Sequence, residues 1–240
     1  MRLDRALSNS GCGTRNDVRT LIKKRKVTVN GIIVTDPSVH VEKTDAIEIE
    51  GSDTKLKDKL YFIFDKPDEV LTAMDDKRYK NIGDFIPPEL KNLKLSPVGR
   101  LDYHTTGLLI ITNDGELSHR ITSPKYEIPK VYTVTYEGKA LTQEEIEEAE
   151  KGVTLNDTDK PVKLRPCKID VVSDDTVDIT LYEGKTHEVR RLISHFGKQV
   201  LTLRRVKIAD ITLPEDSISG TFYEMSEEQI VAIRKVTGLI

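Results

Sequence analysis

Strand-forming segments outnumber helix-forming segments in this chain, and the two kinds do not alternate regularly. Runs rich in Val, Ile, Thr, Tyr and Phe predict strands at residues 60–64, 107–112, 130–136, 163–172, 176–182 and 200–211. Helical periodicity predicts helices at residues 115–122, 142–151 and 187–196. A doubly wound parallel sheet needs strands and helices in regular succession, so this order argues against it. We expect an α+β domain around a mixed, mostly antiparallel sheet.

A polar stretch at residues 50–59 separates these segments from the N-terminal part of the chain. It contains Gly and Ser among charged residues, a composition typical of a linker. We therefore predict two domains, a small one with its linker at residues 1–58 and a larger one at residues 59–240. The 240 residues are enough for this arrangement without disulfide or metal support.

The composition excludes several classes of protein. A content of 37% hydrophobic and 32% charged residues is typical of a soluble globular chain. The apolar run Leu108–Ile111 is far too short to span a bilayer. Cys12 and Cys167 stand far apart and suggest neither a disulfide framework nor a metal site. The first thirty residues contain no signal-peptide core, so we expect a cytoplasmic protein that contacts no membrane.

The positive charge is concentrated at the N terminus. Residues 1–31 carry eight basic and two acidic residues, whereas the rest of the chain carries 29 basic and 38 acidic residues. Such asymmetry is typical of proteins that bind a polyanion, although a solvated helix face gives the same composition. The basic residues that we expect to contact phosphates are Arg2, Arg5, Arg15, Arg19 and Lys23.

The same segment has the pattern of two short helices followed by a hairpin. Apolar residues recur at helical spacing within residues 3–7 and 18–22, and Thr14 is placed to cap the second helix with Asp17 as its capping-box partner. Asn30-Gly31 then separates two β-branched runs, which predicts a tight hairpin. Residues 2 to about 48 resemble the α-L RNA-binding domain of a small-subunit ribosomal protein and several RNA-modifying enzymes. The resemblance implies a structured RNA as ligand.

Several common catalytic motifs are incomplete in the larger domain. Gly184-Lys185-Thr186 ends like a phosphate-binding loop, but Ile179 stands where that loop needs Gly. His187-Glu188 begins like a zinc-protease helix, but Arg191 stands where the second His is needed. We therefore expect no metal and no cofactor.

Residues 97–117 combine a polar loop with a buried strand and end in an Asn-Asp-Gly turn. Asp102 lies in the loop near Arg100, at the start of the rigid strand. A carboxylate held in this way is a candidate catalytic group, and a turn Asp that bonds to its own backbone has the same sequence signature.

Four ordered blocks resemble the RNA pseudouridine synthases, specifically the branch that acts on small-subunit ribosomal RNA. They are Gly99-Arg-Leu-Asp-Tyr-His-Thr-Thr-Gly-Leu-Leu109, Pro129-Lys-Val-Tyr-Thr-Val134, Glu183-Gly-Lys-Thr-His-Glu-Val-Arg-Arg-Leu192 and Val200-Leu-Thr-Leu-Arg-Arg205. The resemblance implies that Asp102 is the essential aspartate and Tyr132 the active-site tyrosine. It further implies that Arg190 pairs with Asp102 and that Leu203 lies near the base. Two residues depart from the usual pattern: His104 replaces an acidic residue, and Glu188 replaces Gln.

The residue types suit this chemistry. An ionised carboxylate can attack an electron-poor carbon or remove a ribose proton, and a guanidinium beside it favours the charged form. Tyr132 offers a ring that can stack on the uracil, although a tyrosine packed in the core on a strand face would have the same sequence pattern. In the same way, Leu203 could be an ordinary core leucine. Arg100, Lys185 and Arg205 are further candidates for contacts with the RNA, and Arg190 taken alone could be a surface charge.

We therefore expect isomerisation of uridine to pseudouridine in small-subunit ribosomal RNA by an aspartate without a cofactor. The substrate is free RNA or, as we expect, an assembling small subunit, and the enzyme is a monomer. Two alternatives remain. One is a pseudouridine synthase for large-subunit ribosomal RNA, and the other is an inactive ribosome-associated RNA-binding factor.

Overall fold

The computed structural model describes residues 1–57, 59–91 and 93–240. The α-helices are α1 (Leu3–Asn9), α2 (Arg15–Lys23), α3 (Gly115–Thr122), α4 (Gln143–Lys151), α5 (Glu188–His195) and α6 (Glu227–Val236). The strands are β1 (Val27–Val29), β2 (Ile32–Ile33), β3 (Ile47–Ile49), β4 (Ser52–Thr54), β5 (Tyr61–Lys66), β6 (Ser96–Pro97), β7 (Thr106–Thr112), β8 (Lys130–Glu137), β9 (Thr154–Leu155), β10 (Val162–Lys163), β11 (Lys168–Ser173), β12 (Thr176–Leu181), β13 (Gln199–Ile208), β14 (Ile211–Thr212) and β15 (Phe222–Glu224). Short 3-10 helices lie at Ile82–Phe85, Pro88–Leu90 and Pro124–Tyr126. None of the helices in the described ranges is long and apolar enough to cross a membrane.

The chain divides into two compact units. The first contains Met1–Tyr61, Ile86–Ser96 and Thr112–Asp114, and the second contains Phe62–Phe85, Pro97–Ile111 and Gly115–Ile240. The domain boundary predicted at residue 58 lies outside the described residues. The first unit also includes two segments from beyond that point in the sequence.

The N-terminal helices form as the sequence predicts. Thr14 accepts a hydrogen bond from the Asp17 backbone N–H, and Asp17 accepts one from the Thr14 N–H, which completes the predicted capping box. Asn30 and Gly31 have φ values of 52° and 77°, so the predicted hairpin turn between β1 and β2 is present. Fully buried apolar side chains from α1, α2 and β1 form the core of this unit: Leu3, Ala6, Leu7, Val18, Ile22 and Val27.

Part of the predicted linker is a strand. Residues 50 and 51 have φ values of 51° and 82°, and this turn lets β4 pair with β3 in antiparallel register. The interpretation of residues 50–59 as linker throughout is therefore wrong for β4. The polar composition of residues 50–59 suggested a linker because β4 is an exposed edge strand whose side chains are Ser, Asp and Thr.

A nine-stranded sheet organises the second unit, with the main order β11-β12-β8-β13-β7-β5-β15. Strands β11, β12, β8 and β13 pair antiparallel in turn, as do β15 and β5, whereas β13 and β7 run parallel. The predicted α+β class with a mixed, mostly antiparallel sheet is confirmed. A buried core joins α4 and α5 to this sheet through Val134, Tyr136, Ile146, Val177, Ile179, Leu192 and Ile193.

Two predicted strands are interrupted in the structure. The segment 163–172 contains the end of β10 and most of β11, because Pro166 lies between them and lacks the N–H that a continuous ladder needs. The segment 200–211 contains β13 and the start of β14, which are separated by a turn where Ala209 has a φ of 49°. Helix α6 was not predicted, although its Ser226 and Gln229 form a capping box.

Gly107 allows β7 to approach β13 closely. Its φ is 96°, and a Cβ at this position would lie 2.3 Å from the Arg205 carbonyl oxygen. The parallel register places Gly107 opposite Arg205 and Thr106 opposite Arg204. Only glycine satisfies both the backbone angle and the contact. The loop that carries Asp102 leads directly into this close-packed strand pair.

A second constraint on β13 is an ion pair with β5. Arg204 donates two hydrogen bonds to the Asp65 carboxylate, of 3.0 and 2.8 Å, and Ser217 donates a third of 3.0 Å. Asp65 is 1% exposed, whereas the Arg204 side chain is 39% exposed. The bidentate geometry fixes two strands that lie on either side of β7.

We predict that Arg204→Met destabilises the protein by about 2–3 kcal/mol, because it leaves the buried Asp65 carboxylate without its guanidinium. Denaturant unfolding measures the change. Lys168→Met is the matched control, since it removes an ion pair to Asp170 in which both side chains are more than half exposed, and we expect less than about 1 kcal/mol. Equal effects of the two variants would contradict the importance of this pair.

Candidate active site

Asp102 lies between two adjoining pockets of the second unit. A pocket of about 80 Å³ has Asp102, Thr105, Tyr132, Glu188 and Leu203 among its lining residues. A groove of about 430 Å³ is lined by Leu71, Thr72, Ala73 and Tyr103. Four residues line both: Arg100, Leu101, Asp102 and His187. The Asp102 side chain is 39% exposed, so its carboxylate is accessible from solvent while it borders the smaller pocket.

Hydrogen bonds hold the Asp102 loop on both sides of the carboxylate. The Thr72 hydroxyl donates to the Leu101 carbonyl at 2.7 Å and accepts from the Leu101 N–H at 3.1 Å. The Lys66 ammonium donates to the carbonyls of Tyr103, at 3.1 Å, and Thr105, at 2.8 Å. Burial lowers the pKa of Lys66 to about 8. The loop is thus positioned in advance by groups that follow or end strand β5.

Tyr132 is positioned by its neighbours in the sheet. Strand β8 places it opposite Ile179 of β12 and Arg205 of β13. The Arg205 guanidinium carbon lies 5.9 Å from the centre of the Tyr132 ring, and Nη1 lies 3.4 Å from the Tyr132 hydroxyl oxygen. The half-buried Tyr132 ring therefore lines the pocket, and the buried Arg205 guanidinium holds the ring in place.

Several buried charged groups lie close to the pocket. Burial raises the pKa of Glu188 to about 7, and the nearby Glu183 carboxylate adds to this effect. Burial also lowers the pKa of Lys130 to about 8, an effect that the charge of Arg205 strengthens. Lys185 donates to the Glu183 carboxylate, and the Arg165 N–H donates to it at 2.7 Å. The pocket thus contains a half-exposed carboxylate, Asp102, and a buried one, Glu188.

The model of the family described as RNA pseudouridylate synthase matches residues 60–195, and the model of the S4 domain matches residues 1–47. A ribosomal small subunit pseudouridine synthase A from Haemophilus influenzae is 34% identical over 98% of this chain and 100% of its own length. A ribosomal large subunit pseudouridine synthase B from Bacillus subtilis is 35% identical over 97% of this chain and 95% of its own length. A solved pseudouridylate synthase is 32% identical, has a TM-score of 0.67, and is matched over 97% of this chain and 99% of its own length.

The chain belongs to the RNA pseudouridylate synthase family. It is an RNA pseudouridine synthase with an N-terminal S4 RNA-binding domain, as the sequence resemblance implied. The four sequence blocks that carried the resemblance converge on one place in the structure, since Asp102, Tyr132, Glu188 and Leu203 line the same pocket of the synthase.

The predicted contact between Arg190 and Asp102 is not formed. Arg190 of the synthase donates instead to the His104 carbonyl at 2.7 Å. The basic side chain nearest to Asp102 among the described ion pairs is His187, whose Nε2 lies 3.6 Å from Asp102 Oδ1. His187 precedes α5 as its N-cap residue and has a left-handed backbone with a φ of 51°, whereas Arg190 lies three residues later, within the helix.

Arg205 is not available for the predicted contact with RNA. It is only 2% exposed, and its Nε donates to the Leu108 carbonyl at 2.8 Å inside the sheet. Lys185 and Arg100 do line the pocket, and Arg100 is exposed. Leu203 is buried at 4% exposure and faces the pocket, where a base could pack against it. The sequence could not show that two neighbouring cations, Arg204 and Arg205, are both occupied by protein groups.

The basic residues of the S4 domain fall into two groups. Arg2 and Arg19 both bind the Asp4 carboxylate at 3.0 Å, although each keeps nearly half of its side chain exposed. Arg5 and Arg15 are exposed and line one groove of about 350 Å³ with Asn9, Lys94 and Asn113. Lys23 is exposed at the end of α2.

Sequence reasoning missed three residues of this site: Lys66, Thr72 and His187. Lys66 ends a strand at a Lys-Pro step, but a lysine at a strand end usually indicates solvent rather than a buried clamp. Thr105 belongs to the motif around Asp102, but the sequence predicted no role for it. Within the described ranges, no group of His, Cys, Asp and Glu side chains is arranged to hold a metal ion.

We predict that Glu188→Gln becomes more stable relative to the wild type as the pH rises from 5 to 8. The folded-state pKa of Glu188 is about 7, above its usual value of 4.5, so the wild type loses stability as this carboxyl ionises across that interval. Denaturant unfolding at each pH measures the difference in unfolding free energy between the two proteins.

Glu145→Gln is the matched control for this titration. Burial raises the pKa of Glu145, but hydrogen bonds from Lys198 and the Thr142 N–H outweigh it and lower the pKa, so this carboxyl is already ionised at pH 5. The stability difference between that variant and the wild type should stay constant from pH 5 to 8. A constant difference for Glu188→Gln as well would refute the buried, neutral state of Glu188.

Proposed function

We propose that this synthase converts a uridine of small-subunit ribosomal RNA to pseudouridine, with Asp102 as the catalytic group and no cofactor. The observation that supports this most strongly is the position of Asp102, between a small pocket lined by Tyr132 and Leu203 and a larger groove that could hold the RNA chain. A uridine within RNA must leave its stack to reach such a pocket.

The reaction balances without an oxidant or an energy source. The bond between ribose C1′ and uracil N1 breaks, the base turns, and C1′ bonds to C5. The hydrogen on C5 leaves as a proton and N1 gains a proton, so no electrons are transferred. Asp102 acts as a nucleophile at the sugar or the base, or as a base at ribose C2′. Each of these roles requires the ionised carboxylate, and the Asp102 side chain, which is 39% exposed, can be reached by the RNA.

The neighbouring residues position the Asp102 carboxylate or contact the uracil. Tyr132 stacks on the uracil and Leu203 packs against it, while Arg205 acts from beneath by fixing the Tyr132 ring. Arg190 positions the loop through the His104 carbonyl. His187, 3.6 Å from Asp102, supplies a positive charge when its imidazole is protonated.

The S4 domain supplies the electrostatic part of RNA binding. Arg5, Arg15 and Lys23 meet phosphates directly, and the exposed parts of Arg2 and Arg19 extend the same positive surface. The partner that we propose is ribosomal RNA within an assembling small subunit, bound in the cytoplasm by a synthase monomer. Arg100 and Lys185 would contact the nucleotide chain near the reacting uridine.

A second candidate substrate is large-subunit ribosomal RNA. The relative named for the large subunit is 35% identical to this chain, and the relative named for the small subunit is 34% identical. Overall identity therefore favours neither, and the assignment to the small subunit rests on the motif resemblance around Asp102.

We predict that Asp102→Asn lowers pseudouridine formation at least about 10³-fold, because an amide keeps the shape of the side chain but cannot act as a carboxylate. Tritium release from small-subunit ribosomal RNA labelled at uracil C5 measures the reaction, with large-subunit ribosomal RNA and partly assembled subunits as parallel substrates. Asp170→Asn, at an exposed ion pair, is the control and should keep full activity.

Near-normal release by Asp102→Asn would end the proposed role of this residue. Release by the wild type from large-subunit RNA alone would replace the proposed substrate with the second candidate. Binding of RNA without release from any of these substrates would favour the inactive binding factor.

We predict that the double variant Arg5→Gln/Arg15→Gln binds RNA about tenfold more weakly at moderate salt. The magnitude of the slope of log affinity against log salt should fall by about 1–2, because binding without these two phosphate contacts releases fewer counterions. Filter binding across a salt series measures both. The control Lys139→Gln/Lys160→Gln removes the same charge from exposed positions of the second unit. Equal slopes for the two double variants would contradict the role of the groove.

A further inference from the structure

Two buried polar atoms, on residues that line the pocket beside Asp102, have no hydrogen-bond partner among the described residues. They are Thr105 Oγ1 and Glu188 Oε1, on residues that are only 1% and 4% exposed. Buried hydroxyl and carboxyl groups in folded proteins are almost always paired, since leaving one unpaired is costly. Both residues line the same pocket. Such a pair of polar atoms is typical of a site that receives a polar ligand.

The protein positions the Glu188 side chain and the Thr105 backbone. Glu188 Oε2 accepts a hydrogen bond of 2.7 Å from the Lys185 N–H just before α5, which leaves Oε1 for another partner. The Thr105 N–H donates to the Asp102 carbonyl at 3.0 Å, and the Thr105 carbonyl accepts from Lys66 at 2.8 Å. Both residues are therefore held in place before a ligand arrives.

The protonation state of Glu188 decides what this site can offer. Burial raises its pKa to about 7, so near neutral pH a large fraction of the carboxyl carries a proton and can donate it to an acceptor. The titratable groups that act on it from the surrounding elements are Glu183, Lys185, Lys130, Cys167 and Arg191. Arg100, Asp102 and His187 line the same pocket.

We propose that Glu188 and Thr105 bind the polar edge of the target uracil and hold it while the base turns. The inference rests on the proposed function, in which Asp102 and Tyr132 face the reacting side of the same base. Glu188 Oε1–H donates to a uracil carbonyl oxygen, and the Thr105 hydroxyl oxygen accepts from N3–H. Glu188 and Thr105 are binding residues and take no part in bond breaking.

The geometry of uracil explains why this edge is suited to the task. A half turn about the axis through N3 and C6 exchanges N1 with C5 and exchanges O2 with O4, while N3 keeps its place. A donor aimed at a carbonyl and an acceptor aimed at N3–H therefore meet the same groups before and after the turn. Cytosine offers no such match, because its N3 carries no hydrogen and an amino group replaces O4.

The test compares kcat and KM of Glu188→Gln, Glu188→Met and Thr105→Val with the wild type, by tritium release from pH 6 to 9. We expect Glu188→Met and Thr105→Val to lower kcat/KM about 10- to 100-fold, mainly in kcat. The RNA dissociation constant should change little, since phosphate contacts dominate it. Thr105→Val keeps the shape of the side chain and the backbone bonds, which separates lost binding of the base from lost folding.

The pH profile identifies the carboxyl as the donor. Wild-type kcat/KM should contain a decline above pH 7 as Glu188 ionises, and Glu188→Gln should lack this decline because its amide donates at every pH. Glu145→Gln and Glu145→Met change a carboxyl that also accepts a backbone N–H at a helix start but does not line the pocket. They should alter the melting temperature without altering kcat/KM.

Wild-type kcat/KM in both Glu188→Met and Thr105→Val, or identical pH profiles for Glu188→Gln and the wild type, would overturn the proposal. These outcomes differ from failure of the substrate assignment, which would appear as absent wild-type release from small-subunit RNA. The comparison is made on whichever ribosomal RNA the wild type modifies, so each result bears on Glu188 and Thr105 directly.

Discussion

The hydrogen bonds of the Lys66 ammonium are the contacts on which the Asp102 loop depends. It is fully buried at the end of β5, where it donates to the carbonyls of Pro67, Tyr103 and Thr105. Three carbonyl acceptors compensate for burying a charge that would otherwise be expelled to water. The bonds to Tyr103 and Thr105 leave the chain between Asp102 and β7 little freedom. The Asp102 carboxylate is therefore presented from a backbone fixed before any RNA arrives.

The two carboxyl groups of the pocket, on Asp102 and Glu188, have different surroundings. Asp102 is partly solvated and lies near His187, whereas Glu188 is buried and its pKa is raised to about 7. Carboxyl groups in such different environments can serve as base or nucleophile and as hydrogen-bond donor at the same pH. Two buried cations lie near these groups: Lys130, which interacts with the charge of Glu188, and Arg205, which lies against the Tyr132 ring. The charge of Lys130 reduces the free-energy cost of burying the Glu188 carboxyl.

Most elements of the fold were predictable from local sequence. Helices α3, α4 and α5 lie within about a residue of their predicted bounds, and the capping box at Thr14 and the hairpin at Asn30-Gly31 both form. The errors fall where local pattern is ambiguous. Pro166 interrupts a predicted strand, and the polar strand β4 resembles a linker because an edge strand has few apolar side chains to bury.

The sequence by itself determined which residues meet at the site, because Asp102, Tyr132 and Leu203 belong to ordered motifs, and the structure gathers all three in one pocket. Only the tertiary structure decided what their neighbours do. It buried Arg205 under Tyr132, sent Arg190 to the His104 carbonyl, and left Thr105 and Glu188, which line the pocket, with unpaired buried atoms. The physical reason is that the direction and burial of a side chain depend on strand pairs and loops distant in sequence, such as the close approach of Gly107 to Arg205.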